Sequence, residues 1–317
     1  MSFIEVKKKD NTEYASFVKK ISLMGQVFRV REHIGKNIST VNKKEYLKNN
    51  LDLITRREFE IRKKLFSKLD LVYNPNIIDD VEMKSIQIDN LLEIKEIKEQ
   101  ILIEFAKEFI FNSNNIEGSK IPAKEVKKII ENGDSKYKNR NEIKEVFNSI
   151  KAFEYIQNGF KFNMPSIKRL YYILTENLTM SNGEPYPKGF KKVDNVVNNQ
   201  ITVPPDQVEW ALEDLLNNYK EMKKKEYPFK LAFDFHLRYE HIHPFLDGNG
   251  RTGRLIMNKI LMDNGYFPII VYANNSKAYF NAIVKGHERQ TKKNYYQFML
   301  EQTKKTYQQF HKIIKDY

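Results

Sequence analysis

The pattern of apolar and polar positions predicts a small N-terminal region with a β-hairpin and a helix. Between residues 14 and 31, "YASFVKKISLMGQVFRVR" alternates apolar and polar side chains on both sides of Met24, which predicts a hairpin that turns at Gly25. A helix is expected from about Lys43 to Leu69, and "YNPNIIDD" around Pro75 breaks it. We assign these elements to an accessory region, residues 1–90.

From residue 91 onward apolar residues recur at helical spacing, so a mainly α domain is expected over 91–305, with 306–317 as the end of its C-terminal helix. Ile97, Ile101, Phe105 and Phe109 form one apolar stripe, which stops at the polar "NSNNIEGSK". Further helices are expected where proline suits a first turn, or where apolar periodicity recurs before a glycine: from Pro122 to Gly133, from Pro165, over 206–224 and 229–241, from Gly250 to Gly265, and around Tyr307, Phe310 and Ile314.

One segment between these helices has a different pattern. "KKVDNVVNNQITVPP", residues 191–205, carries valines and an isoleucine on both sides of a central Asn-Asn pair. This pattern predicts a short exposed β-hairpin.

Composition limits the class of protein. The absence of cysteine excludes disulfides and thiolate metal sites. No apolar run approaches the roughly 18 residues of a spanning helix, and the N-terminus lacks a signal-peptide pattern, so we expect a cytoplasmic protein without a membrane partner. The formal charge of +13 comes from lysines scattered along the chain, so we expect solvated helix faces and no nucleic-acid partner.

The stretch "HPFLDGNGRTGR", residues 243–254, carries the candidate chemistry. A glycine-rich turn that enters a helix presents free backbone N–H groups, and Gly248 and Gly250 would let that backbone approach a phosphate closely. Arg251 and Arg254 are three residues apart, so both can face the same side of the helix and bind different phosphates of one chain. The stretch therefore predicts a polyphosphate site.

The same stretch supplies an acid and a base. Asp247 offers a hard oxygen ligand for Mg²⁺ held against phosphates, and His243 can accept a hydroxyl proton near neutral pH. Together these residues suit attack by an alcohol on a magnesium-bound nucleotide. A hydrolase metal site built from His241, His243 and Asp247 is an alternative, but it leaves the arginines unexplained. The GxxxxGK[ST] pattern of a P-loop is absent.

This stretch resembles the HxFx[DE]GNGRxxR signature of the Fic domain family, and every fixed position is present. The resemblance extends to "ITVPP" before the motif and "LMDNGYFPI" after it, so it covers roughly residues 95–300. It implies a Fic-type helical bundle with a hairpin flap. It also implies transfer of AMP from Mg²⁺-bound ATP, the co-substrate, to a Ser, Thr or Tyr hydroxyl of a target protein, and it is compatible with a homodimer.

The resemblance implies roles for individual residues. The hairpin corresponds to the flap that docks the target by β-augmentation through Thr202 and Val203. His287 stands near the position where the family has an asparagine, so a preference for ATP over UTP or GTP is left open. The implied catalytic residues are His243, Asn249 and Arg251, the metal ligand is Asp247, and the nucleotide-binding residues are Gly248, Asn249, Gly250, Arg251, Arg254, Tyr279 and Phe280.

A second match, "SNNIEG", resembles the [ST]xxxE[GN] inhibitory motif of Fic proteins with an N-terminal intramolecular inhibitory helix. Ser113 and Glu117 are four residues apart, so they share a helix face, and the carboxylate could pair with Arg254. That pair would occupy the arginine needed by the γ-phosphate. Two alternatives remain: removal of AMP from a modified protein by means of Glu117, and a nucleotide-sensing regulatory or nucleic-acid-binding protein that acts through residues 1–90.

Overall fold

The computed structural model describes residues 2–37, 40–67, 69, 75–180, 182–197, 200–287 and 292–317. Twelve helices and five short or medium strands make up this described part of the chain. The protein is mainly α, as the sequence predicts, with its β-structure confined to an N-terminal sheet and a small hairpin.

The N-terminal sheet contains three antiparallel strands in the order β1 (Ser2–Lys9), β2 (Thr12–Leu23) and β3 (Gln26–Lys36). The predicted hairpin is β2–β3. Its turn residues, Met24 and Gly25, have φ of 51° and 70°, as a two-residue turn matched to the strand twist requires. Strand β1 was not predicted, because its lysine-rich second half is exposed and carries little apolar alternation.

Three helices follow the sheet: α1 (Lys43–Asn49), α2 (Leu51–Phe66) and α3 (Pro75–Lys95). The prediction of a single helix over residues 43–69 is wrong. Two helices are present, and the first ends before Asn50, whose side-chain amide donates to the Tyr46 carbonyl. Helix α3 begins at Pro75, because an N–H group in the first turn would have no partner within the helix and its absence costs nothing. Residue 90, the predicted end of the accessory region, lies inside this helix.

A buried polar network joins the first 90 residues to the rest of the fold. Lys19 of β2 and Arg62 of α2 both pair with Glu58, at 2.8 Å and 2.5 Å. Arg62 also lies 3.1 Å from Glu82 of α3. The second carboxylate oxygen of Glu82 accepts hydrogen bonds from the hydroxyls of Tyr227 and Tyr266, at 2.7 and 2.8 Å. These two tyrosines flank the pair of helices that adjoin residues 243–254.

Replacing Arg62 with methionine should lower the free energy of unfolding by about 3–5 kcal/mol, because it leaves the buried Glu82 without its cation and leaves Glu58 paired with Lys19 alone among the described residues. Urea denaturation of the full chain measures the loss. The matched control is Lys63→Met, at a position on the same helix as Arg62. This substitution removes an exposed pair with Asp79 of α3 and should leave the unfolding midpoint unchanged. Equal midpoints for both variants would contradict a structural role for the network.

The remaining helices form the body of the protein, and the predicted helices are all present. The sequence analysis missed α6 and α11. The helices are α4 (Lys98–Ile116), α5 (Ala123–Asn132), α6 (Arg140–Asn158), α7 (Met164–Leu174), α8 (Val208–Met222), α9 (Pro228–Ile242), α10 (Asn249–Asp263), α11 (Ser276–Gly286) and α12 (Lys292–Asp316).

The hairpin predicted over residues 191–205 is also present. Strands β4 (Val196–Val197) and β5 (Gln200–Ile201) pair antiparallel, with Val196 opposite Ile201. The predicted Asn198-Asn199 turn lies outside the described residues.

No helix in the described ranges combines the length and the apolar character needed to cross a bilayer.

Candidate active site

Residues 243–248 form a turn between two packed helices, and residues 249–254 begin the second helix. Helix α9 ends at Ile242, and His243 adopts a left-handed conformation with φ of 49° while its N–H donates to the Tyr239 carbonyl. Gly248, with φ of 80°, caps the N-terminus of α10. Helix α10 begins at Asn249, so Gly250 lies in its first turn, one residue earlier than the sequence analysis places the helix.

Asn249 fixes the turn. Its side-chain oxygen accepts from the Phe245 N–H at 2.9 Å, and its amide nitrogen donates to the Phe245 carbonyl at 2.8 Å. Phe245 in turn stacks on Tyr171, with ring centroids 3.9 Å apart. The predicted phosphate-binding and catalytic residue Asn249 is therefore buried, and its side chain is committed to loop geometry.

Buried arginine donors surround the start of α10. Arg251 and Arg254 are 4% and 1% exposed. Nε of Arg251 and Nη1 of Arg254 have no hydrogen-bond partner among the described residues. A Cβ placed on Gly250 would lie 2.9 Å from Nη1 of Arg254, so this guanidinium covers the helix N-terminus where Gly250 leaves space. Unpaired buried donors at a helix N-terminus suit an anion.

Glu117 lies in this same space. The last turn of α4 carries Ser113, and Glu117 caps the helix. Nη2 of Arg254 lies 2.8 Å from the Glu117 carboxylate and donates to the Ser113 carbonyl at 2.9 Å, while Nε donates to the Ser113 hydroxyl at 3.1 Å. A Cβ on Gly250 would lie only 2.2 Å from the same Glu117 oxygen. The predicted ion pair between Glu117 and Arg254 is confirmed.

Arg251 is held by two residues that the sequence analysis did not identify. Its Nη1 lies 3.1 Å from the carboxylate of Glu145 on α6, and its Nη2 donates to the Tyr186 hydroxyl at 3.4 Å. The Tyr186 hydroxyl donates to Oδ2 of Asp247 at 2.9 Å. Burial raises the pKa of Glu145, although Arg251 opposes this effect. The network places Asp247 beside Arg251.

Asp247 is exposed, and the described residues include no cluster of three or more His, Cys, Asp or Glu side chains that could hold a metal ion. A single accessible carboxylate fits Mg²⁺, which commonly takes one or two carboxylates together with phosphate oxygens and water. Asp247 would thus be the protein ligand of a metal that arrives with a nucleotide.

His243 lies beside this cradle in a neutral form. Burial, followed by the positive charge of Lys191, lowers the pKa of His243 to about 4. Its Nδ1 has no hydrogen-bond partner among the described residues. A neutral imidazole can accept a proton from a hydroxyl group at physiological pH.

The two residues predicted to line a nucleoside pocket, Tyr279 and Phe280, lie side by side on α11. Tyr279 is 1% exposed, its hydroxyl lies 2.7 Å from Nε2 of His236, and its ring centroid is 5.9 Å from the guanidinium carbon of Arg254. Phe280 is partly buried beside it. Tyr279 therefore contacts Arg254 from within the core. The ring of His287 packs on His241 at a centroid distance of 4.8 Å.

Thr202 and Val203, the predicted docking residues, lie at the base of the hairpin. The Thr202 N–H donates to the Asn195 carbonyl at 3.4 Å, and the Val203 N–H donates to the His241 carbonyl at 3.2 Å. Both amides are thus already used within the protein: the Thr202 bond closes the base of the hairpin, and the Val203 bond anchors the hairpin to the end of α9.

The fold and the site thus define a helical protein that presents arginines, a helix N-terminus and a neutral histidine around one anion cradle. Residues 161–261 match the model of the Fic/DOC family. Over 103 residues the chain is 35% identical to a probable protein adenylyltransferase of Aquifex aeolicus, and this aligned stretch covers 32% of each protein. Over 191 residues it is 29% identical to the protein adenylyltransferase Fic of Drosophila mojavensis, covering 56% of this chain and 36% of that protein.

Solved structures show the same fold. A Fic domain containing signaling protein from Bacteroides thetaiotaomicron superimposes with a TM-score of 0.65 at 19% identity, over 75% of this chain and 97% of that one. The two proteins therefore share a fold, in agreement with the Fic/DOC family match of residues 161–261. This chain spans well under two thirds of the length of the curated relatives it matches.

Proposed function

We propose that this protein transfers AMP from Mg²⁺-bound ATP to a Ser, Thr or Tyr hydroxyl of another protein, and that Glu117 restrains this activity. The observation that carries the proposal is the pair of buried, partly unpartnered guanidinium groups at the N-terminus of α10, that of Arg254 over Gly250 and that of Arg251 near Gly248. The names of the similar proteins, protein adenylyltransferases, support the nucleotide and the reaction.

Four groups take part in the proposed AMP transfer. The target hydroxyl oxygen attacks the α-phosphorus, the bond from that phosphorus to the β-phosphate bridging oxygen breaks, and pyrophosphate leaves. His243 accepts the hydroxyl proton, for which its neutral form is required. The first-turn N–H groups of α10 and Arg251 stabilise the charge that develops on the α- and β-phosphates. Mg²⁺ at Asp247 would neutralise phosphate charge and orient the leaving group.

Glu117 restrains the reaction through competition. Its carboxylate and a phosphate require the same Arg254 donor and the same space above Gly250. Two anions in that space would repel each other strongly because the arginine beneath them is 1% exposed. A nucleotide can therefore place its γ-phosphate on Arg254 only when Glu117 moves away.

The hairpin β4–β5 is the element that we assign to target docking. It lies between Lys191, whose N–H donates to the Pro244 carbonyl, and Val203, whose N–H donates to the His241 carbonyl, and is therefore directly beside the turn that carries His243. Ile201 of β5 is exposed, as is Val193 before β4, which leaves apolar surface for an extended target segment.

Incubation of the full chain with candidate proteins and ATP labelled on either the α- or the γ-phosphate tests the reaction. We expect label from the α-phosphate on protein, none from the γ-phosphate, and loss of labelling with EDTA. Competition with unlabelled UTP and GTP reports nucleotide preference. Label that arrives from the γ-phosphate would indicate a kinase-type transfer and overturn the assignment. Release of AMP from a modified protein, without labelling, would instead indicate de-AMPylation.

A further inference from the structure

Lys191 is a buried cation without a carboxylate partner. It is 4% exposed, and its ammonium group donates to neutral oxygens: Asn195 Oδ1 and the Thr202 hydroxyl at 2.8 and 2.5 Å, and the Ile242 carbonyl at 3.4 Å. No ion pair joins it to an Asp or Glu of the described residues. Burial lowers the pKa of Lys191 to about 8, although Asp194 opposes this at longer range.

A buried ammonium that only neutral groups solvate is costly, and such groups concentrate at functional sites. A neutral residue of similar length could fill the same volume at lower cost. The position of Lys191 therefore requires a reason other than packing.

The contacts of Lys191 supply that reason, because they join the hairpin to the catalytic turn. Asn195 and Thr202 belong to the two arms of the hairpin, while Ile242 immediately precedes His243. The backbone N–H of Lys191 also donates to the Pro244 carbonyl at 2.9 Å. One side chain thus bridges both arms of the hairpin and the residue next to the proposed base.

The charge of Lys191 also acts on His243. The groups that face His243 are Lys191, the Glu240 carbonyl, Glu117 and Asp247. The carbonyl and the two carboxylates favour a protonated imidazole, whereas Lys191 disfavours it. His241, two residues away, experiences the same effect from Lys191.

We propose that Lys191 is a positioning residue that ties both arms of the hairpin to the catalytic turn that carries His243. The effect on protein modification rests on the proposed AMP transfer. The two structural effects, on the hairpin and on the protonation of His243, do not depend on it.

Two substitutions in the full chain, each with a matched control, test the proposal. Lys191→Met removes the charge and the donors at similar length, and Lys191→Arg retains both. The control is Lys192→Met, which removes an equal charge from the adjacent exposed position. Circular dichroism verifies that each variant folds.

The first two readouts require no activity. NMR titration of His243 should show a higher pKa in Lys191→Met than in wild type, and no change in Lys192→Met. Amide exchange at Val203, whose N–H bonds to His241, should be roughly 10- to 100-fold faster in Lys191→Met, since hydrogen bonds from a charged donor are lost. Lys191→Arg should restore both values toward wild type.

The third readout is AMP transfer in a Glu117→Gly background. Lys191→Met should lower the transfer to a protein target roughly tenfold or more, since the hairpin is misplaced, and should move the acidic limb of the pH–rate profile upward. An unchanged pKa of His243 together with unchanged exchange at Val203 would overturn the proposal. Failure of AMP transfer in every variant, with the expected NMR and exchange results, would refute the proposed function and leave the role of Lys191 intact.

If Lys191→Met does not fold, Thr202→Val provides the second measurement. It removes one acceptor of the ammonium group and leaves the charge in place. We expect faster exchange at Val203 with the pKa of His243 close to wild type. Wild-type exchange at Val203 in that variant would contradict the tie between hairpin and turn.

Discussion

Glu117→Gly should raise the rate of AMP transfer by roughly 10- to 100-fold over wild type, since a hydrogen bond between charged groups of this burial contributes about 1.5–3 kcal/mol. The substitution removes the carboxylate that occupies Arg254 and the space above Gly250. Glycine is tolerated at this position because Glu117 is the C-cap residue of α4, where the helix already ends. Initial rates of labelling from α-labelled ATP measure the gain.

The same substitution should lower thermal stability while activity rises. Arg254 keeps its bonds to Ser113 but loses its only carboxylate partner among the described residues, and an uncompensated buried cation is destabilising. ATP with Mg²⁺ should then stabilise Glu117→Gly more than wild type, because binding no longer requires displacement of a side chain. Opposite changes in rate and melting temperature distinguish release of a competitor from improved folding.

Glu117→Gln and Asn115→Gly separate charge from backbone effects. Glu117→Gln keeps the shape of the side chain and removes its charge, so we expect a smaller gain. Asn115→Gly loosens the same last turn of α4, but Asn115 bonds to the Phe111 carbonyl and not to the site, so activity should remain at the wild-type level. A gain in Asn115→Gly equal to that in Glu117→Gly would contradict competition for Arg254.

The sequence was sufficient to predict those parts of the site that lie close together along the chain. His243, Asp247, Gly250 and Arg251 fall within nine residues, and a turn that enters a helix places them around one point whatever the rest of the fold does. The contact between Glu117 and Arg254, 137 residues apart, was predictable only because a second motif resembles a known inhibitory helix. Apolar periodicity was similarly sufficient for most helices of the core.

The residues that the sequence analysis missed act across long separations without any spacing pattern. Glu145 reaches Arg251 across 106 residues, and Lys191 reaches the Ile242 carbonyl across 51. Each is a single charged residue in a chain that is 30% charged, so nothing local marks it. Their roles appear only when packing removes water and brings each charged side chain to a partner that is distant in the sequence.

The side-chain environments of two predicted nucleotide-binding residues were not predictable from the sequence. Asn249 was assigned to the nucleotide by its place in the 243–254 motif and Tyr279 by its likeness to an aromatic pair of the family, and the structure places both side chains in the core. Position in a motif fixes where the backbone runs. Whether a polar side chain faces a ligand or satisfies a buried backbone group depends on its neighbours, here Phe245 and His236.

His243→Ala should lower AMP transfer by roughly 10²- to 10⁴-fold, the usual contribution of a general base. It should do so in the Glu117→Gly background, where the starting rate is high enough to measure the loss. Binding of Mg²⁺-ATP should be nearly unchanged, because the cradle consists of the α10 N-terminus and the two arginines. The matched control is His241→Ala, which removes an exposed imidazole two residues away and should retain activity.

The pH dependence tests the same role. The folded-state pKa of His243 is about 4, well below its ordinary value of about 6.5, so the base is neutral across the physiological range. The rate should therefore stay constant as pH falls from 7 through about 6 and decline only as protonation of His243 begins nearer its lowered pKa. A decline centred near 6.5, or one that persists unchanged in His243→Ala, would show that another group accepts the proton. Because the ring is partly exposed, added imidazole should restore part of the activity of His243→Ala, and that rescue should follow the pKa of free imidazole instead.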